Sequence, residues 1–138
     1  MEHSYLQMIF IMIASGILSS MWVWVDKSSD IRISLNDIYM TGLMTAWMCV
    51  FMSLLYKNNK VFLISSIFVI FFYICIRNQL FIGLDQYYSG MIPHHSMAIL
   101  TSKRLLGTHS ELNKEDKEFI KQIIKTQEAE IEWMKNRE

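Results

Sequence analysis

The chain has 138 residues, of which 52% are hydrophobic, so it forms at most one domain-sized unit. Lys and Arg together number 13, as do Asp and Glu, and this zero net charge provides no basic field for nucleic acid. Cys49 and Cys75 do not form a C-x-x-C pair, which argues against a thiolate zinc site or a redox dithiol.

Three apolar segments occupy the first part of the chain, at residues 5–25, 38–56 and 61–80. Each has about twenty residues, enough for a helix to cross a hydrocarbon core of roughly 30 Å. The first segment lacks the basic start of a signal peptide, so we interpret it as a retained anchor. Trp22 and Trp24 near its end are typical of the aromatic belt at a membrane surface. We therefore predict a membrane domain over residues 1–82, with the lipid bilayer as its partner.

Three spans place the N-terminus and the C-terminal tail on opposite sides of the membrane. The loop over residues 26–37 then lies on the same side as the tail. The lysines of the turn 57–60 are nearly balanced by Lys27, Arg32 and Arg77 on the other side, so positive charge does not decide the orientation.

Cys49 and Cys75 lie in the second and third segments, at different distances from the turn between them. At about 1.5 Å per residue their depths differ by about 10 Å, which exceeds the Cα separation that a disulfide allows. We therefore expect two free thiols.

Methionines recur every four residues in the second segment, at Met40, Met44, Met48 and Met52. On a helix successive members lie about 40° apart, so the side chains form one drifting stripe. The spacing resembles the Met-x-x-x-Met of Ctr-type copper uptake transporters, which also have three spans, although the small-residue motif of their third span is absent. Two interpretations stay open: flexible packing residues between helices, or a path for Cu(I) through the membrane.

Residues 83–138 form a second predicted domain, an amphipathic helical hairpin. Its helices are predicted over residues 85–106 and 114–137, with Gly107 ending the first as its C′ residue. Pro93 must either open the first helix or kink it, because its ring nitrogen has no hydrogen to donate. The predicted inward stripes are Met91, His95, Ala98, Ile99, Ser102 and Leu106 on the first helix, and Ile120, Ile123, Ile124, Gln127, Ile131 and Met134 on the second.

The sequence Met-Ile-Pro-His-His-Ser-Met over residues 91–97 is the sharpest candidate for chemistry. It combines the imidazole groups of His94 and His95 with the thioethers of Met91 and Met97. Thioether sulfur favours Cu(I), and imidazole accepts either oxidation state of copper. Met91 is a near neighbour of both histidines on a helix surface, at spacings of three and four residues. An ordinary amphipathic helix with two histidines is the alternative interpretation.

The second helix offers further candidates. If the turn of the hairpin centres near Ser110, Met91 and the two histidines lie opposite the last turns of the second helix. Met134 then supplies another thioether, or it packs in the core as an ordinary methionine. Gln127 and Glu130 are placed to orient a histidine ring without binding the metal themselves.

Two stretches of the tail match a known pattern. They are Tyr-Ser-Gly-Met-Ile-Pro-His-His over residues 88–95 followed by Ala98-Ile99, and Ile124-x-x-Gln-x-x-Glu-Ile-x-x-Met134. On these residues the chain resembles the domain-of-unknown-function 305 family. Residues 39–46 also look like the membrane-anchored bacterial members of that family, so the likeness extends beyond the tail.

The resemblance implies a copper-binding protein with a ferritin-like helical architecture. Carried over residue by residue, it implies the metal ligands Met91, His94, His95 and Met134. It also implies a bacterial inner membrane with the tail in the periplasm, an orientation that the charges leave open. A ferritin-like bundle needs four helices and this tail is only half of one, so we expect a homo-oligomer, most simply a dimer.

Enzymatic signatures are missing from the sequence, which contains no Glu-x-x-His, no His-Glu-x-x-His and no Gly-x-Ser-x-Gly. His3 and His109 are isolated, and we expect both to be exposed. We therefore predict that the protein is not an enzyme. It would sequester copper, or exchange it with a donor or acceptor protein, and so provide copper homeostasis and tolerance. The alternatives are a metal-free membrane scaffold and a Cu(I) conduit, whose secondary ligands would be Met97, Met40, Met44 and Met48.

Overall fold

The computed structural model describes the backbone of residues 2–138 and the side chains of residues 5–138. Within these residues the chain is all-α and has no strand, as the apolar periodicity predicts. Its helices are α1 (Glu2–Leu18), α2 (Leu35–Leu55), α3 (Asn59–Arg77), α4 (Leu84–Thr108) and α5 (Lys114–Lys135). Two short 3-10 turns, Met21–Trp24 and Ser28–Asp30, lie between α1 and α2.

The described residues divide into two compact units that do not follow the order of the chain. The membrane unit comprises the described residues up to Ser20 together with Leu35–Ile82. The hairpin unit comprises Met21–Ser34 and Gly83–Glu138. The segment Met21–Ser34, which we call the strap, thus joins α1 to α2 but belongs to the hairpin unit. A division of the sequence at residue 82 does not anticipate this arrangement.

Three helices of the described chain are long and apolar enough to cross a membrane, as the sequence predicts. In the membrane unit, α2 packs against both α1 and α3. Small side chains on its buried face allow the helices to approach closely. The Thr45 hydroxyl donates to the Thr41 carbonyl at 2.8 Å and the Ser53 hydroxyl to the Val50 carbonyl at 2.7 Å, so these polar groups are satisfied within the helix.

Cys49 and Cys75 are both free and buried, which confirms the expectation of two thiols without a disulfide. The first candidate span, Tyr5–Trp24, agrees with the predicted segment, but its last residues are not α-helical. α1 stops at Leu18, and Trp22 and Trp24 lie in the first 3-10 turn of the strap, which packs against α4. The sequence does not signal that these tryptophans belong to the same unit as the tail.

The core of the hairpin unit lies between the facing sides of α4 and α5. It consists of Tyr88, Ile92, Ile99, Ile131 and Met134, with Met91 and Ile124 packed against them. Every residue of the two predicted inward stripes is buried or partly buried, which confirms the two helix faces. Asn113 begins α5 by accepting a hydrogen bond from the Asp116 N–H at 2.7 Å.

The predicted end of α4 is wrong, and one of the two alternatives for Pro93 is excluded. The helix continues through Gly107 to Thr108, because the His109 N–H still reaches the Leu105 carbonyl at 3.1 Å. No glycine of the described chain has a positive φ, so Gly107 is a helical residue rather than a C′ cap. Pro93 does not open the helix, since it lies inside α4 and is fully buried.

The strap is bonded to both helices of the hairpin through one carboxylate. The Asp26 N–H donates to the Ser96 Oγ at 2.8 Å, and the Ser96 hydroxyl donates to the Asp30 Oδ2 at 2.6 Å. Lys135 on α5 donates to the other carboxylate oxygen of Asp30. Ser96 is 0% exposed and Asp30 only 2%, so this network lies inside the hairpin unit.

These contacts keep the carboxyl groups of the strap region charged. Burial raises the pKa of the Asp30 carboxyl, but the hydrogen bonds from Lys135 and Ser96 and the charge of Lys135 outweigh it and leave that pKa below its ordinary value. Arg32 of the strap forms an ion pair with Glu138 at 2.7 Å, and its hydrogen bond lowers the pKa of the Glu138 carboxyl.

The homo-oligomer was expected because a lone hairpin is half of a four-helix bundle and would leave the edges of its apolar stripes in water. In the described chain the strap packs against α4 and supplies a third layer, so part of that apolar surface is already covered. A homo-oligomer stays a prediction, and the α4 face beneath the strap does not require one.

Candidate metal site in the helical hairpin

A pocket of about 600 Å³ opens between α4 and α5. Tyr87, Tyr88 and Trp133 supply aromatic parts of its wall. The antiparallel course of the hairpin brings the middle of α4 opposite the last turns of α5. As a result, several residues singled out from the sequence line this one pocket, namely Met91, His95, Glu130 and Met134.

The ring of His95 is held by oxygen atoms on both of its nitrogens. Its Nδ1 lies 2.8 Å from the Met91 carbonyl oxygen, and because a carbonyl can only accept, Nδ1 carries a hydrogen. Its Nε2 lies 2.9 Å from the Glu130 Oε2. The backbone bond therefore fixes the ring so that Nε2 is the nitrogen presented to Glu130 across the pocket.

Glu130 and Gln127 form a short chain of contacts behind this ring. The Gln127 amide donates to the Glu130 Oε2 at 3.1 Å, the same oxygen that contacts His95. The side chain of His95 is only 12% exposed, whereas that of Glu130 is 48% exposed. The carboxylate thus orients the imidazole and keeps access to water.

The two methionines of the pocket come from opposite helices. Met134 on α5 is buried in the hairpin core, and Met91 on α4 packs against that core while it lines the pocket. Met91 lies one helical turn before His95, which places both side chains on the same face of α4. The pocket therefore combines one imidazole with two thioethers.

His94 does not line this pocket. Its side chain is exposed, and its ring centroid lies 6.1 Å from that of His95 with the planes at 67°. Adjacent residues of a helix point about 100° apart, so only one of two neighbouring histidines faces α5. Met97 is partly buried and does not line the pocket either. Within one chain the structure brings together Met91, His95 and Met134 and leaves His94 outside.

The donor types in this pocket limit the metals that suit it. Among the side chains of residues 5–138, no group of three or more His, Cys, Asp or Glu residues is arranged to hold a metal ion. The sulfur atoms available in the pocket are the thioethers of Met91 and Met134. Thioether and imidazole together favour a soft ion such as Cu(I) over zinc, magnesium or calcium.

The methionine stripe of the second span has a different setting. Met40 and Met44 are 49% and 48% exposed, while Met48 and Met52 are partly buried. The buried face of α2 is formed instead by residues such as Thr45 and Cys49. Met40 and Met44 therefore lie on the outer surface of the membrane unit and not in its interior.

The two remaining histidines lie away from the pocket in the sequence. His109 is exposed, as expected, and its Nδ1 lies 2.9 Å from the Thr108 hydroxyl. The side chain of His3 lies outside the described residues.

The sequence of the hairpin unit has relatives among known proteins. Residues 84–137, which contain the whole pocket, match the family described as Domain of unknown function (DUF305). The uncharacterised protein L153 of Acanthamoeba polyphaga mimivirus is 40% identical to the chain over 134 residues. That alignment covers 94% of this chain and 87% of the relative. The chain belongs to the DUF305 family.

Membership confirms the family resemblance found from the two tail motifs. The mimivirus relative matches nearly the full length of the chain, so the likeness includes the candidate spans and the strap as well as the DUF305 hairpin. Neither the family description nor that of the relative names a metal or an activity. No solved structure matches the chain.

Sequence reasoning missed the polar network that lies against the DUF305 hairpin. Asp30 and Ser96 are 66 positions apart, and no pattern in a single sequence pairs them. Two signals were available. The loop over residues 26–37 was predicted to lie on the same side as the tail, and Ser96 directly follows the inward residue His95.

Proposed function

We propose that this DUF305 protein is a membrane-anchored copper-binding protein that uses its hairpin pocket to sequester Cu(I) or to hand it over. The supporting observation is that Met91, His95 and Met134 line one pocket. These residues would hold the ion through two thioether sulfurs and the Nε2 of His95. The bound ion would be cargo, and the role would be copper homeostasis or tolerance without catalysis.

The donor groups fit such an ion. The hydrogen on Nδ1 is engaged by the Met91 carbonyl, which leaves Nε2 as the nitrogen with a lone pair to offer when the ring is neutral. In the contact with Glu130 the Nε2–H donates to the carboxylate, so a copper ion would have to displace both that hydrogen and Glu130. Because the Glu130 side chain is 48% exposed, its carboxylate can return to water at low cost. Met91 and Met134 need no deprotonation to act as ligands.

X-ray absorption on the Cu(I)-loaded full chain in detergent tests this proposal. We expect both sulfur and nitrogen neighbours around copper. Met91→Ala should remove one sulfur neighbour and weaken Cu(I) binding, measured by competition with a chromogenic Cu(I) chelator. Met97→Ala is the matched control, because Met97 belongs to the same helix but does not line the pocket. A spectrum with only oxygen and nitrogen neighbours, unchanged in Met91→Ala, would contradict the proposal and favour the metal-free scaffold.

We also propose a bacterial inner membrane with the C-terminal tail in the periplasm. Three candidate spans support a membrane location, and the resemblance to bacterial membrane-anchored members supports the orientation. The relative L153 comes from a mimivirus, so the bacterial assignment rests on the resemblance alone. A phosphatase fused after Glu138 and expressed in bacteria should be active, and a reporter that works only in the cytoplasm should be silent there. The reverse pattern would assign the copper site to the cytoplasmic side.

A further inference from the structure

The carboxylate of Asp30 meets both hairpin helices beside the candidate ligands. On α4 it accepts a hydrogen bond from Ser96, the residue that follows His95. On α5 it accepts from Lys135, the residue that follows Met134. One side chain of the strap is therefore bonded to α4 and α5 at the positions next to their inward imidazole and thioether.

The contact between Asp30 and Ser96 is buried, so it is costly to break. Asp30 is 2% exposed and Ser96 is 0% exposed, so water cannot replace their hydrogen bond without opening the unit. The Lys135 side chain is 27% exposed and keeps part of its hydration. A buried carboxylate is costly unless both oxygens are paired, and here Ser96 binds one oxygen and Lys135 the other. The network is stable only when strap, α4 and α5 are all in place.

We propose that Asp30 is a positioning residue of the pocket: it holds α4 and α5 so that His95 and Met91 face Met134. This inference rests on the proposed copper function for its effect on binding, but the geometric part stands without metal. The strap is part of the segment that links the first two candidate spans, so a residue of that segment would set the geometry of the pocket.

The expected effect follows from how ligands are held. The core contacts of Ile92 and Ile131 keep α4 and α5 together when Asp30 is changed. The helices lose the bond that sets the positions of His95 and Met134 relative to each other. Groups that orient ligands without touching the metal typically contribute about 10- to 100-fold in metal affinity.

The test makes the same change, Asp to Asn, at two positions of the strap. Both variants are studied as the full chain in detergent. Asp30→Asn should weaken Cu(I) binding about tenfold and reduce the sulfur neighbours seen by X-ray absorption. Asp26→Asn is the matched control, because the Asp26 carboxylate pairs with Lys103 at 2.7 Å while its backbone N–H still bonds Ser96. Asp30→Glu, which keeps the charge, should restore part of the affinity.

A second readout needs no metal. Amide hydrogen exchange around Ser96 and around Lys135 should accelerate in Asp30→Asn and stay unchanged in Asp26→Asn. If Asp30→Asn does not fold, Lys135→Gln removes the α5 side of the contact and is measured in its place. Unchanged exchange at both helices, or equal losses of affinity in the Asp30 and Asp26 variants, would overturn the inference. A wild-type chain that binds no Cu(I) would contradict the proposed function. The hydrogen-exchange rates around Ser96 and Lys135 would then decide whether Asp30 holds α4 and α5 together.

Discussion

Replacing His95 with Gln is expected to weaken Cu(I) binding by about 100-fold, whereas the same change at His94 leaves the affinity within about twofold. The two residues are neighbours in sequence and chemically identical. Only His95 lines the pocket and is oriented by the Met91 carbonyl, and His94 is exposed. The pair is therefore its own matched control, since each variant removes one imidazole from the same helix.

The measurement is competition with a chromogenic Cu(I) chelator, using the purified full chain at fixed pH. Circular dichroism on both variants checks that α4 and α5 remain folded. An equal loss in His94→Gln would support the four-ligand set implied by the family resemblance. It would mean that α4 rearranges on binding, or that His94 serves a site shared with a second copy of the chain.

The strap is expected to detach from the hairpin as the pH falls below about 4, the ordinary range for an aspartate pKa. The pKa of Asp30 is lowered in the folded chain, so its carboxylate stabilises the folded state above its unfolded pKa, and this contribution is lost as pH falls through the folded value. Glu138, whose pKa is lowered by its bond to Arg32, acts in the same direction. Asp30→Ala at neutral pH should lower the free energy of unfolding by about 2 kcal/mol, because the buried Ser96 hydroxyl loses its acceptor while the partly exposed Lys135 keeps some hydration.

The Asp26 amide reports this transition, because its N–H donates to Ser96 only when the strap is docked. Its NMR resonance in the full chain should shift on acidification, and the shift should shrink in Asp30→Asn. Glu118→Gln is the control, since the Lys114–Glu118 pair is 3.8 Å apart and both side chains are largely exposed. An Asp30→Asn variant with the wild-type acid profile would contradict this account.

Much of the fold follows from the sequence because its signals are local. A membrane span is recognised from about twenty apolar residues, and an amphipathic helix from a repeat of 3.6 residues. Both inward stripes of the hairpin were therefore predictable. The end of α4 was not, because Gly107 permits a left-handed cap without requiring one.

The candidate site was predictable only in part. Spacing could bring Met91 near either histidine, since residues three and four positions away are both neighbours on a helix. The choice of His95 depends on how α4 is rotated against α5, and packing across the hairpin sets that rotation. The role of Asp30 could not be predicted from the sequence, because its partners Ser96 and Lys135 lie 66 and 105 positions away.

The two-part composition of the hairpin unit has a consequence for biosynthesis. The strap, Met21–Ser34, leaves the ribosome before α2 and α3, and its partner segment Gly83–Glu138 follows only after them. The Asp30 carboxylate therefore stays hydrated, without its partners on α4 and α5, until α2 and α3 have been synthesised. The strap can meet the hairpin only if both spans cross the membrane or neither does, because a single crossing would leave the two pieces on opposite sides. Completion of the hairpin unit would thus exclude a chain in which only one of α2 and α3 crosses the membrane.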